Sequence, residues 1–325
     1  MSKILFSIIC PIYNAKAFLG NAIKSLLNQG YDNWELILID DGSTDGSALL
    51  CDDFSARDER INVIHQENQG QSKARLVGIE KSHGDYVLFL DSDDFLDLTA
   101  LDALNEEIMK SLPDAILFDA RRKSGETLSP VYSLNKNKFL VEKKEILNEC
   151  FGIRIAGYFW TYCFKRDLFD LIASTKETFA TIKYSEDVYL ISQIITNKVK
   201  TLSVLPQPLY VYVDNTDSIT HNQTVEKVKD RFNVFDGVYE NLCCNYQLTL
   251  KKSVLSNIGW TYLSFLIRAA KEHDFANFKE TAKGIRSSYI FKHLSRFKKD
   301  KYNLLIHFLF KIRMYKRIYS IIRKH

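Results

Sequence analysis

The stretch DYVLFLDSDDF at residues 85–95 decides the fold, because an apolar run ends there in a cluster of carboxylates. Its apolar part does not alternate with polar residues, which is typical of a strand buried on both faces of a parallel sheet. Three similar runs precede it: ILFSIIC (4–10), WELILID (34–40) and INVIHQ (61–66). Segments with helical spacing separate the four runs, at 15–29, 47–58 and 72–82. This alternation predicts β-α-β units in which helices cover a parallel sheet.

The second half of the chain follows a different pattern. One more helix and strand are predicted at 99–111 and 114–122, after which regular alternation stops. The stretch to about residue 222 mixes loops, helices and short strands such as PLYVYV (208–213). From Thr224 onward the pattern is helical almost throughout and contains no Pro. We therefore predict an α/β domain over residues 1–222 and a helical region over 223–325.

Composition excludes several classes of protein. With 46% hydrophobic residues among 325, the chain is neither disordered nor fibrous. A formal net charge of +4 does not indicate a nucleic-acid partner. The six cysteines form no C-x-x-C pair, so we expect reduced thiols and no zinc site. The apolar run at 4–10 is too short to span a bilayer and lacks the features of a signal peptide, so it is interpreted as the first strand.

Acidic residues follow two strands of the predicted sheet. Asp40 and Asp41 end the second strand, and Asp91, Asp93 and Asp94 follow the fourth. Ligands of open parallel sheets bind just beyond the carboxyl ends of the strands. Crowded carboxylates there repel each other unless a cation lies between them, and Mg²⁺ is typically held by one or two carboxylates plus substrate phosphates.

The fourth-strand acids are therefore predicted to bind a divalent cation together with a phosphate-bearing ligand. The alternative is that these acids are ordinary turn formers and helix caps. The second acidic strand end in the same sheet favours the cation site.

An ordered series of motifs resembles glycosyltransferase family 2, the inverting nucleotide-sugar transferases with a Rossmann-like domain of the glycosyltransferase A type. The motifs are SIICPIYN (7–14), ILIDDGSTDGS (37–47), NQGQSKARLVGIEKS (68–82), LFLDSDD (88–94) and KYSEDVYL (183–190). The resemblance covers about residues 3–220. It implies that the predicted α/β domain, residues 1–222, binds a nucleotide sugar and carries the catalytic site.

The resemblance also implies a role for individual residues. Asp91 and Asp93 would hold Mn²⁺ or Mg²⁺, and Asp187 would be the catalytic base. The donor would be bound by Pro11, Tyr13, Asp41, Lys73, Arg75, Asp91 and Ser92. Leu76 departs from the family, whose members often have Asn there, and this affects donor packing without touching a catalytic group.

The activity implied is transfer of a sugar, with inversion, from a nucleotide diphosphate sugar that we expect to be UDP-linked. The acceptor would be a hydroxyl of a saccharide or lipid-linked saccharide in cell-surface polysaccharide synthesis. Inversion needs a base for the acceptor proton and a group that stabilises the leaving diphosphate, which the cation would do as a Lewis acid. The alternative is a catalytically inactive nucleotide-sugar-binding or membrane-associated scaffold. A dinucleotide oxidoreductase is disfavoured because no G-x-G-x-x-G follows the first strand.

The end of the chain is strongly basic. Between Lys292 and Lys324, Lys and Arg residues interleave with aromatic and aliphatic residues, and Asp300 is the single acid. Such helices suit an anionic membrane surface, where each Lys or Arg contributes about 1 kcal/mol. We therefore expect a cytoplasmic protein that lies peripherally on the inner membrane through this segment. The alternative is a helix packed on the catalytic domain with a solvated basic face, and RNA binding is a more distant one.

Overall fold

The computed structural model describes residues 3–134, 136–153, 157–170, 176–214, 225–246, 267, 270–271, 275–287 and 315–324. The chain divides into two compact units. The first comprises Met1–Ile146, Gly157–Lys183 and Gln193–Thr216, and the second comprises Leu147–Ala156, Tyr184–Ser192 and Asp217–His325. The last change between the units, from Thr216 to Asp217, lies close to the predicted boundary at residue 222. The second unit also contains two earlier segments, Leu147–Ala156 and Tyr184–Ser192.

The first four strands form the predicted parallel sheet. They are β1 (Phe6–Ile12), β2 (Trp34–Asp41), β3 (Ile61–Gln66) and β4 (Tyr86–Phe89), in the spatial order β3-β2-β1-β4. Helices α1 (Lys16–Leu27), α2 (Ser47–Ser55) and α3 (Gln71–Lys81) connect them. β1 and β4 are buried throughout and β2 almost so. The expectation of burial on both faces is wrong for β3, where only Ile61 is buried, because β3 lies at the sheet edge with a neighbour on one side.

The sheet continues beyond β4 in the order β9-β6-β10-β5, so it is mixed and ten-stranded. β6 (Ala115–Ser124) and β10 (Leu202–Val213) contain the two later strands predicted from the sequence. β9 (Tyr162–Lys165) was not predicted, and it pairs antiparallel with both β4 and β6. At four residues after a 3₁₀ turn, Phe159–Thr161, it is too short for its pattern to be recognised. The remaining strands are β5 (Phe95–Leu96), β7 (Thr127–Pro130) and β8 (Lys138–Leu140).

Helices of the first unit hold the sheet and orient its edge. One core cluster packs the apolar side chains of α1 and of α4 (Ala100–Ser111) against β1, β2 and β4. On α3, a Cβ atom at Gly78 would lie 2.3 Å from Ile9 and 2.9 Å from Ile39. Only glycine therefore lets α3 lie this close to β1 and β2, which places the start of α3 beside the carboxyl ends of those strands.

The other helices complete the description. They are α5 (Lys143–Ile153), α6 (Asp167–Asp170), α7 (Lys176–Thr181), α8 (Glu186–Asn197), α9 (Val225–Tyr246), α10 (Phe275–Ser287) and α11 (Tyr315–Lys324). None of the helices in the described ranges is both long and apolar enough to cross a membrane.

Part of the basic tail is described as α11 in the second unit. Ile318 and Ile322 are fully buried, and the Tyr319 ring packs at 5.3 Å from the ring of Phe278 in α10. Lys316 and Arg317 are exposed. In this helix the apolar face therefore packs within the second unit, and the basic side chains of Lys316 and Arg317 are solvated. Residues 292–314 of the predicted membrane segment lie outside the described residues.

Candidate active site

The predicted donor-binding residues of the first two strands lie at one edge of the sheet. Pro11 pairs with Ile39 near the end of β1, and Asp41, the last residue of β2, pairs with Gln66. Tyr13 follows β1 directly and its side chain is 53% exposed. A half-exposed aromatic ring beside strand ends is available to a flat ligand such as a nucleotide base.

Hydrogen bonds interlock the loops that follow β1 and β2. The backbone N–H of Asn14 donates to Ser43 Oγ at 3.1 Å, and Asn14 Oδ1 accepts from the Thr44 N–H at 2.8 Å. The Ala15 N–H donates to Ser47 Oγ at 2.9 Å. Asn14 has φ of 50°, a left-handed conformation that Asn tolerates better than most residues. The PIYN and DDGSTDGS motifs therefore form one structural piece.

Asp41 accepts hydrogen bonds from the end of β3 and from the loop between β3 and α3. Its Oδ1 accepts from Gln66 Nε2 at 2.7 Å and from the Gln69 N–H at 2.8 Å, and its Oδ2 accepts from the Gly70 N–H at 2.8 Å. The side chain is buried. Asp41 thus organises the turn that begins α3, and its predicted contact with the nucleotide stays a prediction.

Asp40 turns to the other face of the sheet, as strand alternation requires. His65 bridges two carboxylates there, with Nδ1 at 2.9 Å from Asp40 Oδ2 and Nε2 at 3.0 Å from Asp52 Oδ1. These hydrogen bonds to Asp40 and Asp52 raise the pKa of His65 above its ordinary value. Asp40 therefore belongs to a bridge between β2, β3 and α2, and the two acids at this strand end do not share a ligand site.

Arg75 lies on the buried face of α3, and a helix-surface reading of this residue is excluded. Its guanidinium donates from Nη2 to Asp91 Oδ1 at 2.9 Å and lies 5.3 Å from the Phe159 ring. Its side chain is 4% exposed. Lys73, two residues earlier in α3, donates to Gln69 Oε1 at 3.3 Å. α3 therefore places a fixed positive charge against the acidic end of β4.

The acidic segment Asp91–Asp94, here called the acidic loop, follows β4. Asp91 Oδ1 accepts from Arg75 and, at 3.4 Å, from Gln71, whereas Oδ2 accepts no hydrogen bond from the described residues. Asp94 is buried, and its burial, followed by the charges of Asp91 and Asp93, raises its pKa well above the usual range. Ser92 and Asp93 are half-buried. Negative charge is thus concentrated at this point of the edge.

The acidic loop fits a hard divalent cation. Across the residues that the structure describes, no three His, Cys, Asp or Glu side chains are grouped as metal ligands. Mg²⁺ and Mn²⁺ need fewer, because they take one or two carboxylates together with water and substrate phosphate. Asp91 offers an oxygen that accepts no hydrogen bond from the described residues, and Asp93 supplies a second carboxylate two residues away. The pair predicted from the sequence is compatible with such an ion.

Aromatic residues lie beside the acidic loop, among them Trp160, which resembles the aromatic residue of the acceptor side in the family and equally suits a core position, and three tyrosines that sequence reasoning did not assign to the site. The Trp160 indole stacks on Tyr158 at 4.6 Å and on Tyr210 at 4.8 Å, with Tyr212 at 5.8 Å. The Tyr210 hydroxyl donates to Asp94 Oδ2 at 2.8 Å and accepts from the Asp91 N–H at 3.1 Å. The PLYVYV pattern indicated only a strand, because no local signal reveals a partner more than a hundred residues away.

Asp187 lies in the first turn of α8, in the second unit. Its Oδ1 accepts from the Val188 N–H at 2.8 Å, and the helix starts with the Tyr189 N–H donating to the Ser185 carbonyl at 3.2 Å. Ser185 has φ of 63°, a strained value for serine. Asp187 is half-buried and its neighbour Glu186 is buried. Its role as the base stays a prediction.

Comparison with known proteins identifies relatives of this chain. The family model described as glycosyl transferase family 2 matches residues 7–170, half of the chain. The uncharacterized glycosyltransferase EpsJ of Bacillus subtilis strain 168 is 32% identical over 224 residues, which are 66% of this chain and 63% of EpsJ. The minor teichoic acid biosynthesis protein GgaB of the same strain is 31% identical over 285 residues, 79% of this chain and 29% of GgaB. The chain thus spans less than two thirds of either relative.

A solved structure shares the fold. Residues 1–349 of TarS from S. aureus, crystallised in complex with UDP-GlcNAc, superpose with a TM-score of 0.73 over 99% of this chain and 91% of that one. The sequence identity is 16%, so the likeness concerns the fold. It extends over the Rossmann-like sheet and the helical C-terminal region alike.

Proposed function

Since the chain belongs to glycosyltransferase family 2 and is a transferase, we propose that it moves a sugar, with inversion, from a UDP-linked donor to a hydroxyl of a saccharide or lipid-linked saccharide. The observation that carries the proposal is the acidic loop at the carboxyl edge, with a buried Arg75 on one side and an Asp91 oxygen that accepts no hydrogen bond from the described residues. TarS, which shares the fold, was crystallised with UDP and with UDP-GlcNAc, so UDP-GlcNAc is the first donor to test.

The residues of the edge divide the work of such a transfer. The exposed ring of Tyr13 borders the base, while Arg75 and Lys73 on α3 supply positive charge toward the diphosphate. Asp91 and Asp93 would hold Mn²⁺ or Mg²⁺, which as a Lewis acid stabilises the charge on a leaving diphosphate. Asp187 takes the proton from the acceptor hydroxyl, since direct displacement needs a base on the acceptor side.

The acceptor is proposed to be a cell-wall or capsular saccharide. GgaB is named for minor teichoic acid biosynthesis, and this relative matches 79% of the chain. A lipid-linked acceptor would lie at a membrane surface, which agrees with a basic C-terminal region that attracts anionic lipid. The exposed Lys316 and Arg317 of α11 support an electrostatic attachment, in which the packed apolar face of the helix does not take part.

A donor panel tests the activity. Release of nucleoside diphosphate is measured from UDP-GlcNAc and from other UDP-, GDP- and dTDP-sugars, with Mn²⁺, with Mg²⁺ and with excess chelator. We expect a UDP-sugar to be consumed only with a divalent cation, and NMR of the product to show an inverted anomer. Full turnover in excess chelator would refute the requirement for a divalent cation. A product with a retained anomer would refute the role of Asp187 as the base of an inverting transfer. Binding of donors without turnover for any acceptor would favour the inactive scaffold.

Vesicle binding tests the membrane proposal separately. The chain should sediment with vesicles of anionic lipid at low salt and dissociate as salt is raised, since exposed charges are screened. Reversal of charge at the exposed Lys316 and Arg317 should weaken binding, while the same change at exposed Lys110 and Lys144 of the first unit should not. Equal binding of both variants would contradict attachment through the tail.

A further inference from the structure

Tyr210 joins strand β10 to the acidic loop, because its hydroxyl both accepts and donates a hydrogen bond there. The hydroxyl accepts from the Asp91 N–H at 3.1 Å and donates to Asp94 Oδ2 at 2.8 Å. Asp91 and Asp94 are the first and last residues of the loop, and the Asp94 N–H also donates to the Asp91 carbonyl at 3.1 Å. One side chain therefore holds both ends of a closed turn.

The tyrosine is itself held rigidly. It is fully buried, its backbone pairs with Ala120 of β6 and Leu96 of β5, and its ring stacks on Trp160 at 4.8 Å. β10 gives the loop a third attachment, because the Val213 N–H donates to Asp94 Oδ1 at 2.7 Å. Both oxygens of Asp94 thus accept hydrogen bonds from β10. Asp94 therefore anchors the loop, whereas Asp91 and Asp93 are the proposed cation ligands.

We propose that Tyr210 is a positioning residue, which fixes the acidic loop in the conformation that presents Asp91 and Asp93 to the divalent cation. This inference rests on the proposed function, because it concerns the same cation site. A metal site binds its ion more tightly when its carboxylates are already in place, since ordering a loop at the moment of binding reduces the affinity. Tyr210 contacts no reacting atom and acts only through the loop.

The matched variants are Tyr210→Phe and Tyr86→Phe. Tyr86 is also a buried tyrosine, and its hydroxyl donates to the Pro113 carbonyl at 2.6 Å from the far end of β4, the strand that leads to the loop. Each variant removes one buried hydroxyl, although that of Tyr210 makes two hydrogen bonds and that of Tyr86 makes one, so the unfolding midpoint of each variant is measured beside its metal affinity. Loss of an outer-shell partner typically weakens metal affinity about 10- to 100-fold. We expect a weakening of about tenfold or more for Tyr210→Phe and none for Tyr86→Phe.

Two measurements on the full chain decide the matter without relying on turnover. Mn²⁺ binding is followed by electron paramagnetic resonance in the presence of UDP, and amide hydrogen exchange is followed for residues 90–95 in the absence of metal. Tyr210→Phe should lower Mn²⁺ affinity and accelerate exchange at the Asp91 amide, whereas Tyr86→Phe should do neither. Should Tyr210→Phe fail to fold, Asp94→Asn replaces it and should accelerate exchange in the same segment.

The outcomes separate this inference from the proposed function. If the wild type binds Mn²⁺ and Tyr210→Phe binds it equally well with unchanged exchange, the positioning role is refuted while the cation site stands. If Tyr86→Phe weakens Mn²⁺ binding as much as Tyr210→Phe, the effect is one of general stability and the inference also fails. If the wild type binds neither Mn²⁺ nor Mg²⁺ with UDP, the cation site of the proposed function is refuted, and the inference with it.

Discussion

The two acidic strand ends look alike in sequence and differ in structure. At the end of β2, Asp41 accepts three hydrogen bonds, from Gln66 at the end of β3 and from the loop that follows it, and Asp40 is tied to His65 on the opposite face. At the end of β4, both oxygens of Asp94 accept hydrogen bonds from β10, whereas Asp91 retains an oxygen that accepts none from the described residues. The acids of the first strand end hold loops together, and Asp91 at the second keeps an oxygen for the proposed ligand.

The difference teaches how one residue type serves two purposes at one edge. A carboxylate has about four acceptor sites, and three strong donors leave Asp41 little capacity for an ion. In the acidic loop the charges of Asp91 and Asp93 add to burial in raising the pKa of Asp94, so the three acids act on one another there. Stability and function should therefore respond oppositely to mutation at the two strand ends.

Asp93→Asn should have the largest effect on activity and little effect on stability. The substitution removes a carboxylate from the proposed cation site, so turnover should be nearly abolished, while relief of repulsion leaves the unfolding midpoint unchanged or higher. Turnover and urea unfolding are measured side by side. Asp97→Asn, which touches only the turn at Thr99, is the control and should retain turnover. A destabilised Asp93→Asn protein would break the comparison, because it would make this strand end structural as well.

Asp187→Asn should lower turnover by about 10² to 10⁴, the usual contribution of a positioned base. Donor affinity should barely change, since the nucleotide and cation are held elsewhere. Calorimetry of donor binding and steady-state rates measure the two quantities. Glu186→Gln is the matched control in the same helical turn and should have a smaller effect. A turnover rate near that of the wild type would refute Asp187 as the base and leave it a structural role at the start of α8.

Asp41→Asn should mainly cost stability. An amide nitrogen in place of one oxygen would face at least one of the three donors, and a buried donor left without an acceptor costs about 1–3 kcal/mol. Urea unfolding gives the loss, and Asp53→Asn on the surface of α2 is the control, with an expected change below about 1 kcal/mol. If the stability is unchanged and donor binding is lost, Asp41 binds the donor, and the contrast between the two strand ends does not hold for this residue.

His65→Gln should produce the smallest effect, and one that depends on pH. The folded-state pKa of His65 is raised by Asp40 and Asp52, so protonation stabilises the folded chain. This contribution is fully present below about pH 6.5, the ordinary pKa of histidine, and is lost as the pH rises through the higher folded-state value. The wild type should therefore exceed the variant in stability more at pH 5.5 than at pH 8.5. Because His65 is partly exposed, added salt should reduce the difference.

Much of the carboxyl edge of the sheet could be predicted, because the sequence patterns that indicate its strands and helices are local. Uninterrupted apolar runs and helical spacing identified β1, β2, β4 and the helices between them, and the position of Asp41 and Asp91 at strand ends followed. The short strand β9 and the half-exposed edge strand β3 were missed or misjudged, since a run of four to six residues does not reveal its neighbours. Strand order is set by long-range packing.

The sequence by itself determined the β-α-β architecture of the first third, the acids at its strand ends and the family to which the chain belongs. Only the tertiary structure decided which acids are consumed by internal hydrogen bonds, how Arg75 is buried against Asp91, and that Tyr210 holds the acidic loop. The physical reason is that strand and helix patterns repeat within a few residues, whereas the Tyr210 and Asp94 side chains meet across more than a hundred. Their contact exists because β5, which follows Asp94 directly, pairs antiparallel with β10 and places Leu96 opposite Tyr210, a pairing that no local pattern contains.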